Sequence, residues 1–100
     1  MRYENFQQSL VAAVLNAPGD TSPALRSAAM QRGALPAPVA SYVDKVARHA
    51  YTVTDADVTA LQQAGHSDDS IFEITVAATV GAALYRLERG MAALRGEEPD

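Results

Sequence analysis

Few side chains that ordinarily carry chemistry are present in this chain, and Glu73 is the first of them. It lies one turn into the apolar segment "SIFEITVAATVGAAL", with Ile71, Phe72 and Ile74 around it. Apolar surroundings are expected to raise a carboxyl pKa, and a raised carboxyl can act as a general base. The opposing reading is that Glu73 reaches the surface or pairs with an Arg or Lys, as buried carboxylates usually do. His49 and Tyr51 are the other candidates for a catalytic or binding role, with Tyr85 and Arg86 as candidate neighbours of the acid. His49 titrates near neutrality, but it also sits at a helix end, where an imidazolium suits the dipole.

What is missing narrows the chemistry. There is no cysteine, so thiolate nucleophiles, disulfides and sulfur ligands are excluded, and the chain is compatible with a reducing compartment. His49 and His66 follow neither an HxxxH nor an HExxH spacing. His66 with Ser67, Asp68 and Asp69 looks like a ligand cluster, yet a helix start accounts for the serine and both aspartates. No metal and no cofactor is expected. The serines lie in no GxSxG elbow, and no glycine-rich phosphate loop is present.

The elements that must position these residues are helical. Alanine is abundant, β-branched residues are few and period-2 alternation is absent, so the fold class is all-α, a compact bundle of about five helices. Phe6, Leu10, Val11, Val14 and Leu15 predict a first helix over Tyr3–Asn16, stopped at "NAPGD". Ser22 as N-cap and Pro23 as first residue open a second, which Gly33 closes as its C′ residue. Val39, Tyr42, Val43, Val46 and Ala50 form an amphipathic stripe. Thr54 and Asp57 resemble a capping box for a short helix ending at Gly65. Ser67 caps a long last helix running to Arg95, with Gly96 closing it.

At 100 residues, 48% apolar, 20% charged and a net charge of −4, the composition is that of one globular domain over 1–100, with 96–100 expected as a disordered tail. The acidic balance argues against nucleic-acid and anionic-membrane partners. The N-terminus does not have the pattern of a secretory signal. The longest apolar stretch starts after Glu73 and is taken as too short for a bilayer, so the cytoplasm is the expected location.

A helix from Ser67 to Arg95 would be roughly 43 Å long, against a diameter of about 33 Å for a compact domain of this size. It should overhang its own globule. Its centre, Val76 to Leu84, is apolar or small on every side, which normally means complete burial. Ala77, Gly81 and Tyr85 form one i+4 row that permits close helix approach, and a mid-helix glycine costs ~1 kcal/mol unless its space is used. Packing inside one chain is one explanation. Self-association through Ala77, Gly81 and Tyr85 is the expectation.

The segment Lys45–Leu94 also carries a resemblance. A helix ending in Arg48-His49, then "VTDADVTAL", "AGHSDDSIFE", an Ala-rich helix and an Arg before the final turn resemble the C-terminal half of the alkylhydroperoxidase D-like, carboxymuconolactone decarboxylase superfamily. That resemblance implies an all-α fold and homo-oligomers built by packing helices across subunits. Peroxidase members of the family use Cys-x-x-Cys with a His and an upstream Glu. The corresponding region here, "VLNAPGDTSPALR", holds Pro18, Gly19 and Pro23 instead, and none of the decarboxylase catalytic residues can be matched.

Three readings stand at this point. The first is a helical homo-oligomer without thiol peroxidase chemistry that binds a small molecule at a subunit interface. The second is a non-enzymatic assembly protein, and the third a thiol-independent lyase or isomerase acting on a small organic acid. With no thiolate available, the metal-free protein is expected to show no dithiol-dependent hydroperoxide reduction; enzyme-dependent turnover of an alkyl hydroperoxide would refute this.

Overall fold

A computed structural model describes residues 3–96. It contains five α-helices and, among the described residues, no strand: α1 Tyr3–Asn16, α2 Pro23–Gln31, α3 Ala37–Arg48, α4 Asp55–Gln63 and α5 Asp68–Leu94, with a 3₁₀ turn Ala50–Thr52 between α3 and α4. Each of the other helices packs on α5. The expected tail begins at Gly96, which takes φ 80, and its remaining positions, 97–100, lie outside the described residues.

Local chemistry explains the helix starts. The Ser22 hydroxyl accepts from the Leu25 N–H at 3.1 Å, with Pro23 in the first turn, and the Ser67 hydroxyl accepts from the Ser70 N–H at 3.0 Å. At α4 the Asp57 carboxylate reaches back to the Thr54 N–H at 2.8 Å, the capping box expected from sequence. Lys45 on α3 meets the same carboxylate at 2.8 Å and is the leading cause of its lowered pKa. One helix end differs from expectation. Arg32, not Gly33, takes the left-handed position after α2, at φ 53 and ψ 45, and the Gly33 N–H closes on the Ala28 carbonyl at 2.8 Å.

The core is built from Ala29 on α2, Val39, Tyr42 and Val43 on α3, Leu61 on α4 and Ile71, Ile74, Ala77 and Ala78 on α5. Tyr42 buries its ring there and keeps its hydroxyl satisfied by Thr75 at 2.6 Å, linking α3 to α5. The core cluster's last α5 member is Ala78; beyond it only Leu84 and Ala92 are buried on that helix. The long axis of the molecule, 46 Å against 28 and 21 Å, therefore follows from α5, whose 27 residues span about 40 Å.

Two sequence expectations about α5 need correction. By length and composition alone, α5 is long and apolar enough to cross a membrane, although its apolar run was expected to be too short. The Ala77–Gly81–Tyr85 row is also not a free face in the single chain. Ala77 is fully buried, and a Cβ on Gly81 would overlap the Met30 carbonyl oxygen of α2. The close approach that Gly81 permits is made to α2 of the same chain, and only Tyr85 of the row is exposed. Gly81→Ala is accordingly expected to destabilise by ~1–3 kcal/mol through overpacking, despite gaining ~1 kcal/mol of helix propensity. Urea denaturation checks this, and an unchanged or raised midpoint would mean that α2 and α5 do not meet at Gly81.

Candidate functional site

Glu73 leaves the core face of α5 even though its sequence neighbours are apolar. Ile71 and Ile74 point inward and are buried, while Phe72 is 69% exposed, so the carboxylate emerges on the flank facing the α1–α2 loop. There it accepts from the Asp20 N–H at 2.8 Å, the Thr21 N–H at 2.8 Å and the Thr21 hydroxyl at 2.5 Å. Gly19 permits this, because a Cβ there would stand 2.5 Å from a Glu73 oxygen. The Thr21 hydroxyl, then the Asp20 and Thr21 amides, and last the charge of Arg26 hold the Glu73 carboxyl down at about 2. The expected raised pKa is thus reversed. Hydrogen bonds to the charged form outweigh burial, and an acid already ionised and saturated is a poor general base.

Arg26 completes the node. It is only 4% exposed, and its Nη1 donates to the Thr21 carbonyl at 2.7 Å and lies 3.6 Å from Glu73. Its Nη2 donates at 2.8 Å to both the Leu15 and Ala17 carbonyls, closing the C-terminal end of α1. The Nε of Arg26 is buried without a hydrogen-bond partner. Nothing in the sequence reading singled out Arg26; its one signal is being the sole charged residue in the α2 segment "PALRSAAMQ".

Beside this node a groove of about 390 Å³ opens between α1 and α5. Ala13, Ala17, Pro18, Phe72 and Val76 give it apolar walls, with Arg26, Asp69 and Glu73 at its polar end. A second cavity of about 390 Å³ lies further along α5, lined by Arg32, Ala47, Arg48, Ala82, Tyr85 and Arg86. Tyr85 and Arg86 are therefore not neighbours of Glu73, from which Tyr85 is three turns removed, about 18 Å along the helix axis.

His49 and Tyr51 meet each other, ring centroids 6.1 Å apart and edge-on, in the exposed link after α3. Tyr51 is 87% exposed, and neither residue lines either cavity. Glu73, His49 and Tyr51 do not converge on one site. Ser67 and Asp68, from the cluster beside His66, cap α5 and accept from Gln62 at 2.8 Å respectively.

Comparisons of the chain with protein-family models, with characterised proteins and with solved structures find no match.

The geometry makes Glu73 a staple between α5 and the α1–α2 loop, with a definite pH dependence. Its folded-state pKa lies below the ordinary 4.5, so the stabilisation is fully present above that value and is lost as pH falls towards about 2. Glu73→Gln should lower the thermal midpoint at pH 7 and flatten the acid loss of stability between those limits. A midpoint at pH 7 equal to or above that of the wild type would refute the staple.

Proposed function

We propose that this chain is a self-assembling helical protein, a cysteine-free relative of the alkylhydroperoxidase D-like, carboxymuconolactone decarboxylase superfamily, whose copies join through the outer face of α5. The observation that carries this reading is the composition of that face. Phe72, Val76, Thr79, Val80, Ala83, Leu87, Gly90, Met91 and Leu94 follow one another along the side opposite Ile74, Ala77 and Gly81. None of the nine is buried, none is charged, and Phe72 and Leu94 at its two ends are 69% and 77% exposed.

Soluble monomers rarely leave a contiguous apolar strip of this kind in water. Covering it with a second copy would desolvate no ion from within the strip. Two copies related by a two-fold axis, with antiparallel α5 helices, would match strip to strip and place Ala83, midway between Phe72 and Leu94, near the axis. The Lys45–Leu94 resemblance supports the same reading, since that superfamily assembles across its helices.

Ala83 is exposed in the single chain, so Ala83→Glu should leave the fold within about 0.5 kcal/mol of the wild type. In the assembly it would set two carboxylates against each other. Light scattering is expected to give a mass above the 10.6 kDa monomer for the wild type and the monomer mass for Ala83→Glu, with unchanged helical circular dichroism. A monomeric wild type, or a variant that assembles equally well, would overturn the proposal.

A further inference from the structure

We infer that the groove between α1 and α5 binds a small hydrophobic amine, its ammonium held by the Asp69 carboxylate and its apolar body lying between Phe72 and the α1 wall. The inference goes beyond self-assembly and does not rest on it, because a single chain supplies the lining.

Helical spacing puts an acid and an aromatic ring on one wall. Asp69, Phe72, Glu73 and Val76 stand at i, i+3, i+4 and i+7 on α5, so they share the face that borders the groove. Ala13 and Ala17 present single methyls from the α1 side, and the space left open is about 390 Å³, within the range of small-molecule pockets. Phe72 is 69% exposed although it is the largest apolar side chain on its wall. A ring left in water beside an acid offers a ligand cation both a counter-ion and a π face.

The charges at the polar end of the groove do not balance. Asp69 and Glu73 lie one turn apart, a like-charge pair that a helix surface disfavours. Glu73 is satisfied by two loop amides, the Thr21 hydroxyl and Arg26 at 3.6 Å. The Arg26 guanidinium is engaged there and with the carbonyls of Leu15, Ala17 and Thr21. Asp69 is exposed and has no hydrogen-bond or ion-pair partner among the described residues. One negative charge is thus left over at the end of an apolar groove, which suits a cation and opposes a carboxylate or phosphate.

A helix start explains an acid at this position but not its surroundings. Negative charge in the first turn of α5 suits the dipole, and Asp68 meets that need as well, while accepting from Gln62 at 2.8 Å. Asp68 does not line the groove. Asp69 differs in sharing the open volume with Phe72, which the dipole leaves unexplained and an amine ligand accounts for.

Nuclear magnetic resonance titration of the full chain tests this with phenethylamine, which is protonated at neutral pH. Phenethyl alcohol has the same ring and no charge, phenylacetate reverses the charge, and ethylamine keeps the charge without the ring. Phenethylamine is expected to shift the Phe72 ring, the Val76 methyls and the Asp69 amide saturably. Phenethyl alcohol and ethylamine should each bind at least about tenfold more weakly, and phenylacetate should give no saturable shift. Asp69→Asn removes the charge with almost no change in size and should weaken phenethylamine about tenfold, with unchanged helical circular dichroism. Asp68→Asn takes the same charge from the same helix start outside the groove and should bind as the wild type does. The readout is ligand binding, so a wild type that light scattering finds monomeric refutes self-assembly and leaves this site standing. The site is overturned if phenethylamine gives no saturable shift at tens of millimolar, or if any of the other three probes binds equally well. It is also overturned if Asp69→Asn binds as the wild type does, or if the two variants weaken binding to the same extent.

Discussion

The hydrogen bonds that Glu73 and Arg26 make to the α1–α2 loop and the end of α1 are the constraint that ties the N-terminal part of this bundle to α5. The carboxylate takes two loop amides and the Thr21 hydroxyl, and the guanidinium takes the last carbonyls of α1. One acid from α5 and one base from α2 thus satisfy polar groups from α1 and the loop, while neutralising each other at 3.6 Å. The buried guanidinium of Arg26 is tolerated because nearly all its donors are used and the half-buried Glu73 carboxylate lies beside it.

That arrangement also decides what Glu73 is not. The same hydrogen bonds that fix the loop keep its carboxyl ionised well below the usual range. Structural service and base catalysis compete for the same lone pairs, and here the backbone amides hold them. Chemistry in this fold is better sought where side chains have spare capacity.

The long helix has two opposite faces with different fates. Its inner face is matched to the chain residue by residue: Ile71, Ile74, Ala77 and Ala78 fill the core, and Gly81 lets the backbone of α2 come close at Met30. Its outer face keeps the same apolar character, and its residues from Phe72 to Leu94 are half-buried or exposed. The small residues Ala77, Ala78 and Gly81 serve contacts inside the chain, while the larger Phe72 and Leu94 stay exposed on the other side.

Much of the architecture was legible in the sequence because it rests on local interactions. The caps at Ser22, Thr54 and Ser67 and the stripe from Val39 to Val46 act over one or two turns. They require only that the neighbouring residues be near, which chain connectivity guarantees. The length of the last helix followed from the same rules. The site did not. The spacing of Ile71, Ile74, Ala77 and Ala78 turns Glu73 off the core face, but what its carboxylate meets there depends on a loop 52 residues earlier. Arg32, Arg48 and Arg86 likewise come to line one cavity only when the ends of α2 and α3 meet α5. Sequence determined which helices form and which of their faces are apolar; tertiary structure decided which polar groups meet, because such contacts span long chain separations and each is fixed by packing elsewhere.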